Sequence, residues 1–386
     1  MIENVAMTRV LDICTKIKPY QQAINRQGVS LKSMRLFRSY QSLKNHIAKA
    51  QPTVVGIGNF DGVHQGHQAL INMVIAIAEK ENLSSSVLTF SPHPLRFFKG
   101  EQGPKQVYSL QDRIDLLRSL GIELVLAQIF DLAFASLSPS AFVKDVLIDA
   151  LQSAHIVVGY DFAFGARRSG TLEDLIKLAQ SYGAQVHIIE AQQSPIHKEK
   201  RPYSSTWIRE LITEGKVTEA QQALGRPYHM RARVVRGLQR GRKLGFPTAN
   251  LELSSELCPQ AGVYTAWLDW GLGPQMSVVS VGSNPTFRET RQLGQQRWSV
   301  EVHVLEAALN SAHDLNVTLD IYDREVCLWF IRPLRAQKRF SGPQDLVKQI
   351  QEDCQSTLSD LEHALAPQWP KQITELSQLE QTDLYI

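Results

Sequence analysis

The sequence predicts an α/β module on a parallel sheet, then an all-β antiparallel barrel closed by a C-terminal helix. Three observations predict it. Between Thr53 and about Ala191, five short apolar runs alternate with helical patterns. After about Arg226 the runs alternate polar and apolar residues between Gly, Pro and Asn turns. A helical pattern over residues 344–364 follows the last of them. The boundaries read as a poorly ordered leader over residues 1–33, the sheet module over 34–204, a helical connection over 205–225, the barrel over 226–365 and a tail over 366–386.

In the first module the apolar runs are TVVGIGNF, SSVLTF, ELVLAQIF, HIVVGY and AQVHIIEA. Fully apolar strands alternating with helices mean a parallel sheet covered on both faces. The helices between them, over residues 68–81, 110–120, 140–151 and 172–182, carry apolar residues at three- and four-residue steps. Ser109 with Asp112 reads as a capping box, and Ser138 followed by Pro139 as an N-cap with proline at the first helical position. SSTWIRELITEGKVTEAQQALG reads as two short helices broken at Gly215. In the second module YHMRARVVRG, FPTANLEL, GVYTAWLDW, MSVVSVGS, WSVEVHVLE and VTLDIYDREVCLWFI read as strands.

The first run ends in GNFDGVHQGHQALI, where three glycines, an acid and two histidines sit at the turn from strand to helix. A HxxH pair such as His64 and His67 can bind zinc, but zinc needs a third ligand, for which the sequence offers only His93 folded close. The glycines argue the other way. Gly58, Gly62 and Gly66 let backbone amides approach an anion, and a helix N-terminus favours one. Imidazoles there can donate hydrogen bonds to phosphoryl oxygens. SPHP, GYDFAFGARRSG and SSTWIR end other strands of the same sheet, where such sheets bind ligands. They add the cations Arg167, Arg168 and Arg209 and the hydroxyls Ser205 and Thr206. Polyphosphate is the better reading.

In the second module GRKLGFPTANLEL joins a basic glycine loop to a strand bearing Thr248 and Asn250. Their two-residue spacing puts both side chains on one face. A hydroxyl and an amide oxygen suit Mg²⁺, a hard ion that takes few protein ligands beside phosphate and water. In SVEVHVLE the valines alternate with Glu301 and His303, and a lone carboxylate on that face can deprotonate an alcohol.

The motifs GxFDGxHxGH and SSTxxR, with SPHP and GYDFAFG, resemble those of the nucleotidyltransferases, and within them the FMN adenylyltransferase half of the bacterial bifunctional riboflavin kinase/FAD synthetases. The order GxxxGFPTAN, GVY and xEVHxL is similar to their riboflavin kinase half. The resemblance covers roughly residues 34–360 and begins near Met34, a candidate start. It implies a Rossmann-like nucleotidyltransferase module, then a riboflavin-kinase-like barrel. The activities implied are phosphorylation of riboflavin to FMN and adenylylation of FMN to FAD, with ATP as co-substrate and Mg²⁺ as cofactor.

Carried over, the catalytic residues are Glu301, His64 and His67. ATP falls to Gly58, Asn59, Phe60, Gly62, Ser205, Thr206, Arg209, Gly241, Lys243 and Gly245. The flavin falls to His93, Asp161, Phe162, Arg168 and Arg335, and the metal to Thr248 and Asn250. Three positions depart from the family pattern: Trp207 within SSTWIR, Asn284 in place of an arginine, and Asp323 where glycine is common.

The bulk numbers fit that expectation. The 386 residues suffice for two cores, and a net charge of +3 is too small for a nucleic-acid or membrane-surface binder. The four scattered cysteines form no C-x-x-C pair, which favours reduced thiols in a cytoplasm. No apolar run reaches the roughly 18 residues of a membrane span. The expected partners are small molecules, without nucleic acid or membrane, for a monomer or weak homo-oligomer. A lone adenylyltransferase with a flavin-holding barrel, or a flavin-sensing binding protein, are the competing classes.

Overall fold

The computed structural model describes residues 34–46, 51–194, 201–237, 244–253, 257–283, 298–305 and 321–363. The leader, the tail, Gly241, Lys243 and Asn284 lie outside the described residues. The described residues divide into two compact units, one within 34–209 with 223–225, the other 210–222 with those within 226–363.

The first unit is a parallel sheet of six strands in the order β1-β4-β3-β2-β5-β6. They are β1 (Arg35–Phe37), β2 (Thr53–Ile57), β3 (Ser84–Ser91), β4 (Leu124–Ile129), β5 (Ser153–Gly159) and β6 (Gln185–Ile189). Five were expected. The sixth, β1, is only three residues long and pairs with β4 at the sheet edge, too short to leave a periodic signal. The expectation that every strand is fully apolar also fails at β6. With one neighbouring strand it is half exposed and carries His187.

Helix α1 (Tyr40–His46) is followed by α2 (Gln65–Glu81), which buries Leu70, Ile71, Val74 and Ala78 along one stripe. Each large apolar side chain buried in this way contributes about 1.5–3 kcal/mol. The helix starts three residues before its apolar pattern does, so His67 lies in its first turn. The remaining helices are α3 (Pro94–Lys99), α4 (Leu110–Ser119), α5 (Leu132–Ala135), α6 (Pro139–Ala141) running into a π-wound segment (Phe142–Ala150), and α7 (Leu172–Ser181). Ser109 caps α4 by accepting from the Asp112 amide, while the Asp112 carboxylate accepts from the Ser109 hydroxyl. Ser138 caps α6 with Pro139 behind it.

The strand order places the site. From β2 the chain winds outward through β3 and β4, then returns to lay β5 against the other edge of β2. The carboxyl ends of β2 and β5 therefore flank the point where the winding reverses, the place where open sheets of this kind bind ligands. The GNFDGVHQGH turn leaves β2 there, and the GYDFAFG segment leaves β5.

Helices α8 (Ser205–Thr213) and α9 (Val217–Leu224) are separated at Gly215, which adopts φ +74. The second unit is a closed barrel in the order β10-β11-β8-β7-β12-β9. Its strands are β7 (Tyr228–Val235), β8 (Ala249–Leu253), β9 (Gly262–Asp269), β10 (Gln275–Ser283), β11 (Trp298–Val304) and β12 (Glu325–Arg335), and every pair is antiparallel. Val279, Val281, Val300, Val302, Leu328 and Phe330 fill its inside. The alternate residues Val263, Trp267, Met276, Val278, Cys327 and Trp329 face out and pack with Leu358 and Leu361 of α10 (Pro343–His363). Among the described residues no helix is long and apolar enough to cross a membrane.

Candidate active sites

At the end of β2 the backbone turns through three positive φ angles, at Phe60 (47°), Gly62 (88°) and Val63 (40°). For bulky residues that conformation costs energy, and it persists only where packing over-determines it. Here Phe60 and Val63 are wholly buried, with the Phe60 ring 5.2 Å from that of His67. Phe60, expected to touch ATP, has its ring in the core.

His64 is the N-cap of α2. Its Nδ1 accepts from the His67 amide at 3.3 Å, which puts the proton of the neutral ring on Nε2. The two imidazoles stack face to face with centroids 3.6 Å apart. A Cβ on Gly66 would come within 3.2 Å of the His64 ring, so glycine is what lets the cap close. Parallel stacked rings do not converge on one ion, and among the described residues no group of three His, Cys, Asp or Glu does so. The pair is built as the mouth of a helix N-terminus, where an anion is stabilised.

Asp61, given no role in the sequence reading, ties this turn to SSTWIR. It is 1% exposed, and its Oδ1 accepts from the Val107 and Tyr108 amides at 2.9 and 3.2 Å. Its Oδ2 receives Arg209 Nη2 at 2.8 Å, and its carbonyl receives the Ser205 hydroxyl at 2.7 Å. Arg209 Nε also donates to the Lys105 carbonyl at 2.6 Å, and Nη1 reaches Thr206 Oγ1 at 3.5 Å. Thr206 itself is exposed at the start of α8. The motifs that resemblance assigned to one ligand thus meet through one buried carboxylate. Trp207, the departure in SSTWIR, turns away into the core beside Tyr203, so the exposed face of the motif keeps its pattern.

His93 joins the same neighbourhood. It caps α3, with Nδ1 accepting from the Leu95 amide at 3.1 Å. Burial pushes its pKa down to about 4, with Asp61 opposing and Arg209, Arg113 and Arg96 adding to the fall. It is therefore a neutral donor through Nε2. Beyond β5, Asp161 and Arg168 are exposed, and Arg167 and Arg168 adopt φ of 53° and 57°. Phe162 stacks on the buried Phe164 at 5.6 Å and packs against the core, so its ring is largely engaged there.

In the barrel, cross-strand pairing aligns Asn250, Glu301, Ser280 and Val263 in one row. Paired residues share a face, and Val263 packs with α10, so Asn250 and Glu301 stand on the outer wall. A Cβ on Gly237 would lie 2.0 Å from Asn250 Nδ2, so the strand end at Gly237 passes directly over that amide. Thr248 is half-buried just before β8. His303 holds the preceding loop: its Nδ1 lies 2.9 Å from the Pro247 carbonyl, and its ring meets that of Phe246 edge-on. Gly245, at φ +86, has open space around it. Arg335 makes a two-pronged bond to Asp353 of α10, at 2.9 and 2.7 Å, and Arg332 pairs with Asp360 of the same helix. Its position on the site wall is thereby set from α10.

Two functional supports escaped the sequence reading. Asp61 was visible as the lone acid in GNFDG. Arg113 was visible as a cation on an apolar stripe, since Leu110, Arg113, Ile114 and Leu117 share one helix face.

Family profiles match both units: FAD synthetase over residues 46–206 and riboflavin kinase over residues 224–361. A bifunctional riboflavin kinase/FMN adenylyltransferase of Listeria monocytogenes is 34% identical over 306 residues, 79% of this chain and 91% of that protein. The protein of that name from Escherichia coli strain K12 is 34% identical over 83% of this chain and 96% of its own. That of Buchnera aphidicola (Schizaphis graminum) is 32% identical with the same coverage. A solved structure titled a macrolide-efflux protein, from Streptococcus pneumoniae, is 29% identical, with a TM-score of 0.71 over 84% of this chain and 98% of that one. With relatives this similar along nearly their whole length, and a family profile on each unit, the chain belongs to the bifunctional riboflavin kinase/FMN adenylyltransferases.

Proposed function

We propose that the sheet unit adenylylates FMN and the barrel unit phosphorylates riboflavin, each with the residues placed above. The observation that carries the first assignment is the Asp61 junction. It gathers the cap of α2, the start of α8 and Arg209 at the switch point of the sheet. No protein nucleophile is needed. An FMN phosphate oxygen attacks the α-phosphorus of ATP, and pyrophosphate leaves. The chain positions both reactants and neutralises developing charge. His64 donates through Nε2, and His67 stacked on it lines the same opening. Gly58, Asn59 and Gly62 bring backbone close to the phosphates, and Thr206 offers its hydroxyl. His93, Asp161, Phe162 and Arg168 hold the flavin side.

In the barrel, Glu301 takes the proton of the riboflavin 5′-hydroxyl as that oxygen attacks the γ-phosphorus of ATP, and ADP leaves with the bridging oxygen. The neutral oxygens of Thr248 and Asn250 fit Mg²⁺, which supplies charge neutralisation on the ATP phosphates when bound. The basic loop ending at Gly245, with Gly241 and Lys243, cradles the phosphates, and Arg335 borders the flavin. The enzyme acts on small molecules in the cytoplasm as a monomer or weak homo-oligomer. Its small net charge and the free thiols Cys258, Cys327 and Cys354 support that setting.

The test is a product assay on the full chain with riboflavin, ATP and Mg²⁺. FMN followed by FAD is expected, with both lost on chelation and restored by added Mg²⁺. FAD from supplied FMN without FMN from riboflavin would overturn the kinase half. Phosphorylation that persists in excess chelator would overturn the metal assignment.

A further inference from the structure

Arg113 lies in the middle of α4 and is 0% exposed, the largest of the fully buried side chains. Its partners are all neutral. Nη1 donates to the Asn59 carbonyl at 2.6 Å and reaches Thr89 Oγ1 at 3.3 Å, and Nη2 reaches the Phe90 carbonyl at 3.5 Å. Nε is buried with no hydrogen-bond partner. Its sequence neighbours Asp112 and Asp115 bond to Ser109 and Gln111 instead. A buried guanidinium without a carboxylate is costly, and folds rarely keep one without a reason.

The surroundings sharpen the point. Burial and nearby Arg38 both work against the Arg113 charge, while Asp61 favours it. Asp61, however, is in direct contact with Arg209. At His93 the three cations Arg209, Arg113 and Arg96 all act against protonation, with Asp61 alone opposing. Asp112 and Asp115 are buried on the same helix without bonding the guanidinium, so Arg38, Arg113 and Arg209 are set around the single carboxylate of Asp61. The Asn59 carbonyl, second residue of the GNFDG turn, receives both Arg113 and the Thr89 hydroxyl, at 3.1 Å from the latter. Asn59 Oδ1 is itself buried without a partner.

We infer that Arg113 is a positioning residue for adenylyl transfer: it clamps the Asn59 carbonyl and so fixes the GNFDG turn, and its buried charge is balanced by the polyphosphate of bound ATP. This inference rests on the reading that the sheet unit binds ATP. Arg113 does not touch the substrate; it acts through the turn and through its field. Its field therefore favours anions on the turn.

The experiment compares wild type with Arg113→Met and Arg113→Lys in the full chain, measuring FAD formation, riboflavin phosphorylation, and thermal stabilisation by inorganic pyrophosphate. Arg113→Met is expected to raise the ATP KM of FAD formation and lower its kcat, together by about 10²-fold in kcat/KM. Pyrophosphate stabilisation is expected to disappear, and kinase rates to stay within about twofold because that chemistry lies in the other unit. Arg113→Lys, keeping the charge without the fork, should restore most of the pyrophosphate effect but less of kcat. It also serves if the Met variant does not fold. Normal ATP KM and pyrophosphate stabilisation in Arg113→Met, or a wild-type kcat for FAD formation in Arg113→Lys, would overturn the inference, as would a loss of both activities in parallel with stability. A wild type that forms no FAD would instead overturn the reading beneath it.

Discussion

The two phosphate-handling regions are built on opposite plans. In the sheet unit the charged groups are buried behind the GNFDG turn: Asp61, 1% exposed, bonds Arg209, and Arg113, wholly buried, bonds the Asn59 carbonyl. In the barrel unit the reactive row of Asn250, Glu301 and Ser280 stands half-exposed on the outer wall, positioned by strand register. The chemistry explains the contrast. Adenylyl transfer needs no base, so the protein contributes a fixed field and fixed amides, and those are strongest away from water. On the proposed assignment the carboxylate of Glu301 must meet an alcohol's hydroxyl, so it has to remain reachable. A preorganised field and a placed base are two ways of handling ATP, and the proposed assignment puts one in each unit.

The largest effects are expected from separating the two. His64→Ala should cut FAD formation by about 10²–10³ while riboflavin phosphorylation stays near wild type. Glu301→Gln should do the reverse by a similar or larger factor, with the pH dependence of the kinase rate flattened. Product chromatography on both variants checks this. If either variant lost both activities together, the comparison would collapse into one interdependent site.

How far the sequence revealed this differs between the regions for the same reason. The barrel row was legible because Glu301 and Asn250 each fall on a two-residue alternation that strand geometry forces. The Asn250–Glu301 register, a contact between strands separated by a long connection, was not. In the sheet unit, ligand-facing residues such as His64, His67 and Thr206 were legible as motifs. The support behind them was hidden. The bonds from Asp61 to Arg209 and from Arg113 to Asn59 span 148 and 54 residues, and no local pattern encodes such pairings. Strand β1 escaped for want of length, and β6 because an edge strand relaxes the rule of continuous apolar residues.

Asp61→Asn tests whether the sheet site depends on its buried charge. Removing the carboxylate leaves Arg209 beside an amide in a largely dry junction, which should cost about 3 kcal/mol of stability and strongly reduce FAD formation. Asn250→Ala on the barrel wall should cost less than about 1 kcal/mol while impairing the kinase. Chemical denaturation of both variants gives the two numbers. Equal costs would mean that the barrel row is as locked as the sheet junction.

A smaller effect follows from His93. Its pKa falls from an ordinary 6.5 to about 4, chiefly through burial. The unfolded chain thus binds the proton more readily than the fold does. The stability contributed by the neutral ring is complete above 6.5 and is lost as pH falls toward about 4. The full shift corresponds to roughly 3 kcal/mol. His93→Asn keeps a cap acceptor for α3 and removes the titration. Its unfolding free energy should decline less than that of wild type across this window. Identical slopes would place the acid sensitivity elsewhere, with burial acting on His93 more weakly than its position suggests.

The smallest effect concerns how each unit carries backbone strain. Phe60 and Val63 adopt positive φ with buried side chains, so packing holds the ligand turn in place. Asp323 adopts φ of 60° in the turn before β12, with its side chain exposed. Asp is among the residues that tolerate this conformation by bonding locally to the backbone. Asp323→Gly should therefore shift stability by no more than about 0.5 kcal/mol, because relief of the left-handed conformation is offset by the greater freedom of glycine in the unfolded chain. Asp323→Ala lacks both advantages and should cost about 1 kcal/mol. Kinase rates should be unchanged in both, since the turn bears only on strand entry. Thermal melts of the pair decide: a glycine variant markedly less stable than wild type would show that the Asp323 carboxylate itself holds the turn, and that the barrel too relies on a side chain to keep its backbone in an unfavourable conformation.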